Sequence, residues 1–201
     1  MKWAPLWAGA CAVLLFAWLA SQIVDGGAPG FDAAVREGVH RHASAPLTIA
    51  MRGFSFIGAP AFLLPVGLLI VAGLLRAGMA RTAVLFLVTV GGAELLDQGL
   101  KLVFHRARPA AFFGSAEPAG YSFPSGHALV SLCFFSVVAY FATRRTSNRL
   151  VRRATWAAAA LVSAMIGLSR IYLGVHYPSD VLAGYAAGLF WLSCVAACAT
   201  A

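Results

Sequence analysis

The sequence is poor in charge and especially poor in acid. Only 11% of its 201 residues are charged, against about 25% in soluble proteins, and just 7 are Asp or Glu. Hydrophobic residues make up 61% and form successive apolar runs of about 20 residues, each long enough to cross a bilayer. One small soluble core cannot bury so many apolar runs. The composition therefore excludes a soluble globular protein and predicts an integral membrane protein.

Cysteine is also sparse, and its placement argues against a metal site. The four cysteines, Cys11, Cys133, Cys194 and Cys198, all fall inside apolar runs, and no paired C-x-x-C spacing is present. We interpret them as small packing residues, with a redox pair of Cys194 and Cys198 as the alternative. No internal repeat or linker divides the chain, so we expect one membrane-embedded domain over 1–201.

The apolar runs predict an all-α membrane protein whose transmembrane helices form a bundle. We expect six spans, at about 3–24, 54–75, 82–104, 125–143, 154–173 and 178–200. The first run is too long for a cleaved signal peptide, and bulky Trp18 stands where the best cleavage site, after Ala20, needs a small residue. Pro60 and Pro65 are expected to kink the second span or to delay its start.

The stretch 25–53 is the one long polar segment. Asp25-Gly26-Gly27 and Pro29-Gly30 break the helix before it. Beyond them, the apolar residues Phe31, Val35 and Val39 recur at helical spacing between charged ones. This pattern is typical of an amphipathic helix on the membrane surface, and an ordinary solvated loop remains equally open.

Basic residues collect on one side of the predicted spans. Lys2, the turn with Arg76 and Arg81, and a loop with five arginines all fall there; the loop contains Arg144, Arg145, Arg149, Arg152 and Arg153. The positive-inside rule assigns that side, and both termini, to the cytoplasm. Because these basic residues lie at the ends of apolar runs, the net charge of +8 does not indicate a nucleic-acid-binding protein.

Three polar clusters lie at the opposite, outward-facing ends of the spans. They are Lys101 with Arg108-Pro109, then Pro124-Ser125-Gly126-His127, and then Ser169-Arg170 with His176 and Asp180. Since loops far apart in sequence bring all three to one membrane face, we expect them to form a single site.

The cations of these clusters suit a phosphate. Phosphoryl transfer spreads charge over three oxygens, so its catalysis is mostly positioning and electrostatics, and Lys101, Arg108 and Arg170 supply positive charge. Ser125 is a good N-cap, and Gly126 allows close backbone approach, so the start of the fourth span predicts an anion site of free N–H groups. For any single base, the alternative is a snorkelling side chain at a span end.

Two histidines and a carboxylate supply the chemistry. Asp180, four residues after His176, can accept one imidazole N–H and leave the other nitrogen to attack phosphorus. His127, in the first turn of the fourth span, is the candidate proton donor to the leaving group. Within the third span we expect Asp97 to pair with Lys101, with a proton path through Glu94 as the less favoured alternative.

The three clusters, in this order and spacing, resemble the signature motifs of the type 2 phosphatidic acid phosphatases. That family belongs to a superfamily shared with bacterial acid phosphatases and vanadium haloperoxidases, and the resemblance covers about 97–184. It implies a phosphohistidine on His176, oriented by Asp180, with His127 as the acid. It also implies that the phosphate is bound by Lys101, Arg108 and Arg170 and by backbone N–H groups around Ser125 and Gly126. Pro109, Pro124 and Ser169 complete the motifs as supporting residues.

The resemblance further implies that neither metal nor any other cofactor is needed. The expected function is dephosphorylation of a membrane lipid phosphate or pyrophosphate at the outer face of a bacterial-type cytoplasmic membrane. Phosphatidic acid, phosphatidylglycerol phosphate and undecaprenyl pyrophosphate are all open as substrates, and so is the oligomeric state. A lipid phosphotransferase that uses the same site is the alternative. A transporter is less favoured, because the charges gather at span ends and no inverted repeat is evident.

Overall fold

The computed structural model describes residues 4–24, 29–113 and 119–200, and every regular element in them is a helix. The helices are α1 (Ala4–Val24), α2 (Pro29–Arg41), α3 (Ala45–Ile57), α4 (Pro60–Arg76), α5 (Ala80–Phe104), α6 (Gly126–Thr143), α7 (Arg149–Tyr172) and α8 (Pro178–Thr200). The expected all-α fold is confirmed for this part of the chain. Lys2 and the predicted break at Asp25-Gly26-Gly27 lie outside the described residues.

Five of the helices that the structure describes are long and apolar enough to cross a membrane, namely α1, α5, α6, α7 and α8. A sixth span exists if α3 and α4 count as one, because the two together pass the same test but meet at an angle of 45°. The second span expected over 54–75 is thus broken at Pro60, in agreement with the kink or delayed start expected there. It is preceded by α3, which begins at Ala45 inside the stretch that was assigned to the polar segment.

The break between α3 and α4 follows from Pro60. The residue before a proline is pushed out of the α region, and Ala59 is extended, with φ −79° and ψ 150°. Proline is favoured in the first turn of a helix, so Pro60 begins α4 while Pro65 stays inside it. Gly58 closes α3, and a side chain there would collide with Ile166 of α7. The bend therefore holds α3 close against α7.

The polar segment contains a helix, α2, so the solvated-loop interpretation is wrong. This helix contacts α7 and α8, and its packed side includes both the polar residue Asp32 and the apolar residue Val39, which lies against Tyr172, Leu173 and Val175. Asp32 is 1% exposed, whereas Phe31 is 51% exposed. The apolar period therefore indicates only part of the packed face, because it does not show the polar partners that bury Asp32.

The helix α7 starts five residues earlier than the predicted fifth span. Asn148 caps it, since its side chain accepts hydrogen bonds from the backbone N–H groups of Leu150 (2.9 Å) and Val151 (3.2 Å). The arginines assigned to the inner loop are therefore partly helical. They extend α7 beyond the apolar run.

The centre of the bundle is α6, which packs against α5, α7 and α8. Gly184 and Gly188 allow the close approach of α8, because a Cβ on Gly184 would lie 2.6 Å from the carbonyl oxygen of Ser125. Of the cysteines, Cys133 is buried in this core, Cys194 is half-buried, and Cys11 and Cys198 are exposed, so the expected packing role is supported for Cys133 alone. The ends of α5, α6, α7 and α8 thus meet at one end of the molecule.

Candidate active site

The three sequence clusters converge at that end of the bundle. Arg108 Nη1 lies 3.0 Å from His176 Nε2, which joins the first cluster to the third. The backbone N–H of Ser125 donates to the carbonyl oxygen of Asp180 at 2.9 Å, which joins the second to the third. We therefore name this region, defined by the predicted site residues, the candidate active site.

His176 lies at its centre and is only 2% exposed. Its Nδ1 lies 3.4 Å from Asp180 Oδ2, on the side expected from the sequence but at the long limit of a hydrogen bond. Burial lowers the pKa of His176 to about 4, although Asp180 acts in the opposite direction. The imidazole is therefore neutral near pH 7. Because Arg108 can only donate, Nε2 is the acceptor and carries the lone pair.

The carboxylate of Asp180 is held more firmly by residues that the sequence did not single out. Oδ2 accepts from Ser122 Oγ at 2.5 Å and from the backbone N–H of Tyr177 at 2.9 Å. Oδ1 accepts from Arg106 Nη1 at 2.6 Å. Three donors other than His176 therefore hold this carboxylate in place.

Arg106 joins Asp180 to α2. Its Nη2 donates to Asp32 Oδ2 at 2.7 Å, and its guanidinium lies 4.0 Å from the ring centre of Tyr177. Asp32 also accepts from the backbone N–H of Ser179 at 2.9 Å and from Ser179 Oγ at 2.6 Å. The two carboxylates keep the pKa of Arg106 above its ordinary value despite burial. The only sequence signal for this network was an isolated Asp in a polar segment.

The side chain of Lys101 pairs with Asp97 at 2.5 Å, so the expected ion pair is confirmed. Asp97 lies against the start of α6, where a Cβ on Gly126 would come within 2.6 Å of its Oδ2. Glycine at 126 therefore allows this carboxylate to reach the helix terminus. Glu94 is exposed and accepts a hydrogen bond from Gln98 at 2.8 Å, away from this pair.

His127 and Arg170 share a partner in α3. The imidazole of His127 hydrogen-bonds the backbone of Ser55, and Arg170 Nη1 donates to the Ser55 hydroxyl. His127 is also close enough to Arg170, His176 and Lys101 to interact with them electrostatically. Ser55 was not predicted, because the bend that brings α3 to the site is not visible as an apolar pattern.

The start of α6 differs in one respect from the expected anion site. The N–H of Ser125 is already bonded to the Asp180 carbonyl and is not free for a ligand, because α8 approaches α6 so closely. The Ser125 hydroxyl makes no capping bond. The N–H groups of the first turn, from Gly126 onward, have no acceptor within the helix and remain the backbone donors of this site.

The supporting residues are all buried. Pro109 and Pro124 pack beside the site, and Pro124 follows a cis peptide bond. Ser169 donates to the carbonyl of Ile166 at 2.6 Å, so its hydroxyl serves α7 and not a ligand.

Buried polar atoms without a partner concentrate at this site. Among the described residues four side-chain atoms are in this state: Asp97 Oδ1, Ser125 Oγ, Arg170 Nε and Arg36 Nε. Such atoms are rare in folded proteins, because each loses its hydration without compensation. Three of the four belong to the predicted site residues, which is the arrangement expected of a pocket for a polar ligand.

Comparisons with known proteins identify the family of the chain. The model of the PAP2 superfamily matches residues 82–201. Phosphatidylglycerophosphatase B of Bacillus subtilis is 32% identical over 177 residues, covering 88% of this chain and 87% of that protein. An undecaprenyl-diphosphatase of Sulfolobus acidocaldarius is 31% identical over 107 residues, covering 50% and 47%.

A solved structure shows the same fold over nearly the whole chain. It is the crystal structure of a transmembrane PAP2 type phosphatidylglycerolphosphate phosphatase from Bacillus subtilis, with a TM-score of 0.88 and 29% identity. The match covers 96% of each chain. The family expected from the three motifs is thereby confirmed: the chain belongs to the PAP2 superfamily and is a lipid phosphatase.

Proposed function

We propose that the enzyme hydrolyses a membrane lipid phosphate or pyrophosphate through a covalent phosphohistidine on His176, without a metal. The observation that carries this proposal is the lone pair of His176 Nε2, which faces Arg108 at 3.0 Å while Nδ1 faces Asp180. A phosphoryl group that displaces this contact between Nε2 and Arg108 would meet the nucleophile and a cation together. Phosphatidylglycerol phosphate is the first substrate to test, because the relative with that activity in its name is similar over most of its length.

The first step forms the bond between Nε2 and phosphorus. Lys101, Arg108 and Arg170, with the amides at the start of α6, hold the three equatorial oxygens and offset their charge. The P–O bond to the lipid breaks, and His127 gives its proton to the departing oxygen, since a bare alkoxide is a poor leaving group. Asp180 stabilises the imidazolium that results on His176.

The second step releases phosphate. His127, now neutral, takes a proton from a water molecule, which attacks phosphorus and breaks the P–N bond. Inorganic phosphate leaves and His176 regains its lone pair. Each step is an in-line displacement, so His127 and His176 must lie on opposite sides of phosphorus.

We also propose that the site faces the outside of a bacterial-type cytoplasmic membrane, with both termini inside and six spans. The support is charge: the arginines of the α4–α5 and α6–α7 turns lie at the end of the bundle away from the site. A cysteine introduced at Gly120 should react with an impermeant maleimide added to intact cells. Labelling only after the membrane is permeabilised would show that the site faces the cytoplasm and would refute the proposed orientation.

The mechanism is tested with His176→Ala and with His42→Ala as a matched control. His42 is exposed at the end of α2 and contacts no site residue. Phosphate release from phosphatidylglycerol phosphate in mixed micelles should disappear in His176→Ala and persist in His42→Ala. The wild-type activity should also persist in the presence of a chelator. Acid-labile ³²P should be trapped on the wild type and not on His176→Ala. Near-normal turnover of His176→Ala, or chelator loss restored by a divalent metal, would refute the proposal.

A further inference from the structure

A shallow basic cleft, wide open to the surroundings, lies at the end of the bundle opposite to the candidate active site. It lies between the α4–α5 turn and the α6–α7 turn and has a volume of about 740 Å³; its walls include Arg81, Thr82, Tyr140, Arg144 and Arg145. Arg81 precedes Lys101 by 20 positions on α5, so a rise of 1.5 Å per residue separates them by about 30 Å. The cleft is therefore distinct from the candidate active site.

Its arginines have no acidic partner in the part of the chain that the structure describes. None of them forms an ion pair among the described residues, and the chain has no Asp or Glu between Glu37 and Glu94 or between Glu117 and Asp180. The guanidinium of Arg144 is held only by neutral groups, the Thr82 hydroxyl at 3.3 Å and the ring of Phe141 at 5.4 Å. Three cations in one cleft thus attract an anion that the protein does not supply.

An apolar groove adjoins this cleft, and Tyr140 lines both. The groove has a volume of about 410 Å³, and its walls include Leu85, Val137, Trp156 and Leu192. Thr82 in the cleft and Leu85 and Thr89 in the groove follow at helical spacing on one face of α5, which places the cavities end to end.

Two of the hydroxyl groups that line the groove are already satisfied within the protein. The hydroxyls of Thr89 and Ser193 donate to carbonyl groups of their own helices, each at 2.7 Å. Most of the other lining residues are apolar, so a hydrocarbon chain suits this groove.

We propose that the cleft and groove together bind one anionic glycerophospholipid that is not the substrate. Its headgroup phosphate contacts Arg81, Arg144 and Arg145, whose planar forks match phosphate oxygens, and one acyl chain lies along the groove. A basic surface alone attracts any anionic lipid. A basic cleft that continues into an apolar groove can instead hold one lipid molecule by its headgroup and by an acyl chain. A phosphodiester such as phosphatidylglycerol fits this chemistry, because no terminal phosphate is required.

The test compares two charge-matched variants. Arg81→Gln/Arg144→Gln removes two cations from the cleft, while Arg152→Gln/Arg153→Gln removes two exposed cations of α7 that do not line it. Phosphatidylglycerol retained by the purified protein is titrated by native mass spectrometry, with phosphatidylcholine of the same chains as the reference lipid. The first variant should bind phosphatidylglycerol about 30-fold more weakly, since each basic residue near an anionic headgroup contributes a factor of about five.

Each other outcome overturns the proposal in a recognisable way. Equal weakening in both variants would show general attraction to the basic surface, and loss of the lipid in Arg108→Gln would place it in the candidate active site. The acyl chain is tested separately: phosphatidylglycerol with brominated chains should quench Trp156, so the quenching should fall in Trp156→Phe. Unchanged quenching, or full competition by soluble glycerophosphoglycerol, would exclude the groove.

Discussion

Arg106→Lys is the substitution that best tests how Asp180 is positioned. Arg106 reaches Asp180 at 2.6 Å and Asp32 at 2.7 Å with two different nitrogens of one planar guanidinium. Lysine keeps the charge but has a single nitrogen on a flexible stem, so it can serve only one of these carboxylates well. The variant therefore removes the bridge while preserving the net charge of a buried cluster.

The expected loss follows from the bonds that disappear. A hydrogen bond to a charged group contributes about 1.5–3 kcal/mol, and at least one such bond is lost, so the folded protein should be destabilised by about 2–3 kcal/mol. Asp180 Oδ1 has no donor other than Arg106 among the described residues. A misplaced Asp180 no longer fixes the tautomer of His176, and kcat should fall about 10- to 100-fold. KM should stay within about 3-fold, because Arg106 does not line the proposed phosphate pocket.

Two further variants separate catalysis from folding. Asp32→Asn keeps the contact of Arg106 with Asp180 but weakens the docking of α2, so the melting temperature should fall while kcat stays within about 3-fold. Arg41→Lys changes an exposed arginine that pairs only with Glu37, and it should alter neither quantity. Steady-state kinetics in mixed micelles and thermal unfolding in the same detergent provide the measurements. A kcat of Arg106→Lys within 2-fold of wild type, or equal kcat losses in Arg106→Lys and Asp32→Asn, would refute the positioning role.

Two other predictions concern packing and pH. Gly184→Ala should lower kcat and the melting temperature, because its Cβ would lie 2.6 Å from the Ser125 carbonyl, whereas Gly91→Ala, with nothing within 4 Å, should change neither. Activity and melting assays on both variants check this, and equal behaviour would contradict it. Burial lowers the pKa of His176 to about 4, below about 6.5 in the unfolded chain, so the unfolded state binds the proton first. This contribution to stability should be complete above about pH 6.5 and fall by about 3 kcal/mol toward pH 4. Melting temperatures of wild type and His176→Gln over that range should diverge, and parallel curves would count against it.

The sequence predicted those parts of the site whose residues are close together in the chain or stand in recognisable motifs. The pairing of Asp97 with Lys101, four positions apart on one helix, is confirmed because helical geometry alone places such residues together. His176 and Asp180 are likewise four apart, at the start of α8, and the structure does bring them into contact. Local spacing is enough for such pairs.

The missed residues are those whose role depends on contacts between distant segments. Asp32 and Arg106 are 74 positions apart, and Ser55 and Arg170 are 115 apart. Single-sequence patterns report which residues are apolar or near a helix end, and they carry no information on which distant polar groups meet. The apolar period of α2 indicated the packed position of Val39 but could not show that Asp32 is buried beside it, because the partners of Asp32 lie on other segments.

The two histidines are held in one site by backbone contacts more than by their own side chains. His127 follows Ser125 by two residues, and the Ser125 N–H is bonded to the carbonyl of Asp180, four residues after His176. The start of α8 can lie this close to the start of α6 only because Gly184 has no side chain. A shift of α8 against α6 would therefore move the proposed nucleophile relative to the proposed acid, while each retained its local partners. The amide of Ser125, expected to bind phosphate, thus fixes the position of α8 against α6 and with it the distance between the two proposed reacting groups.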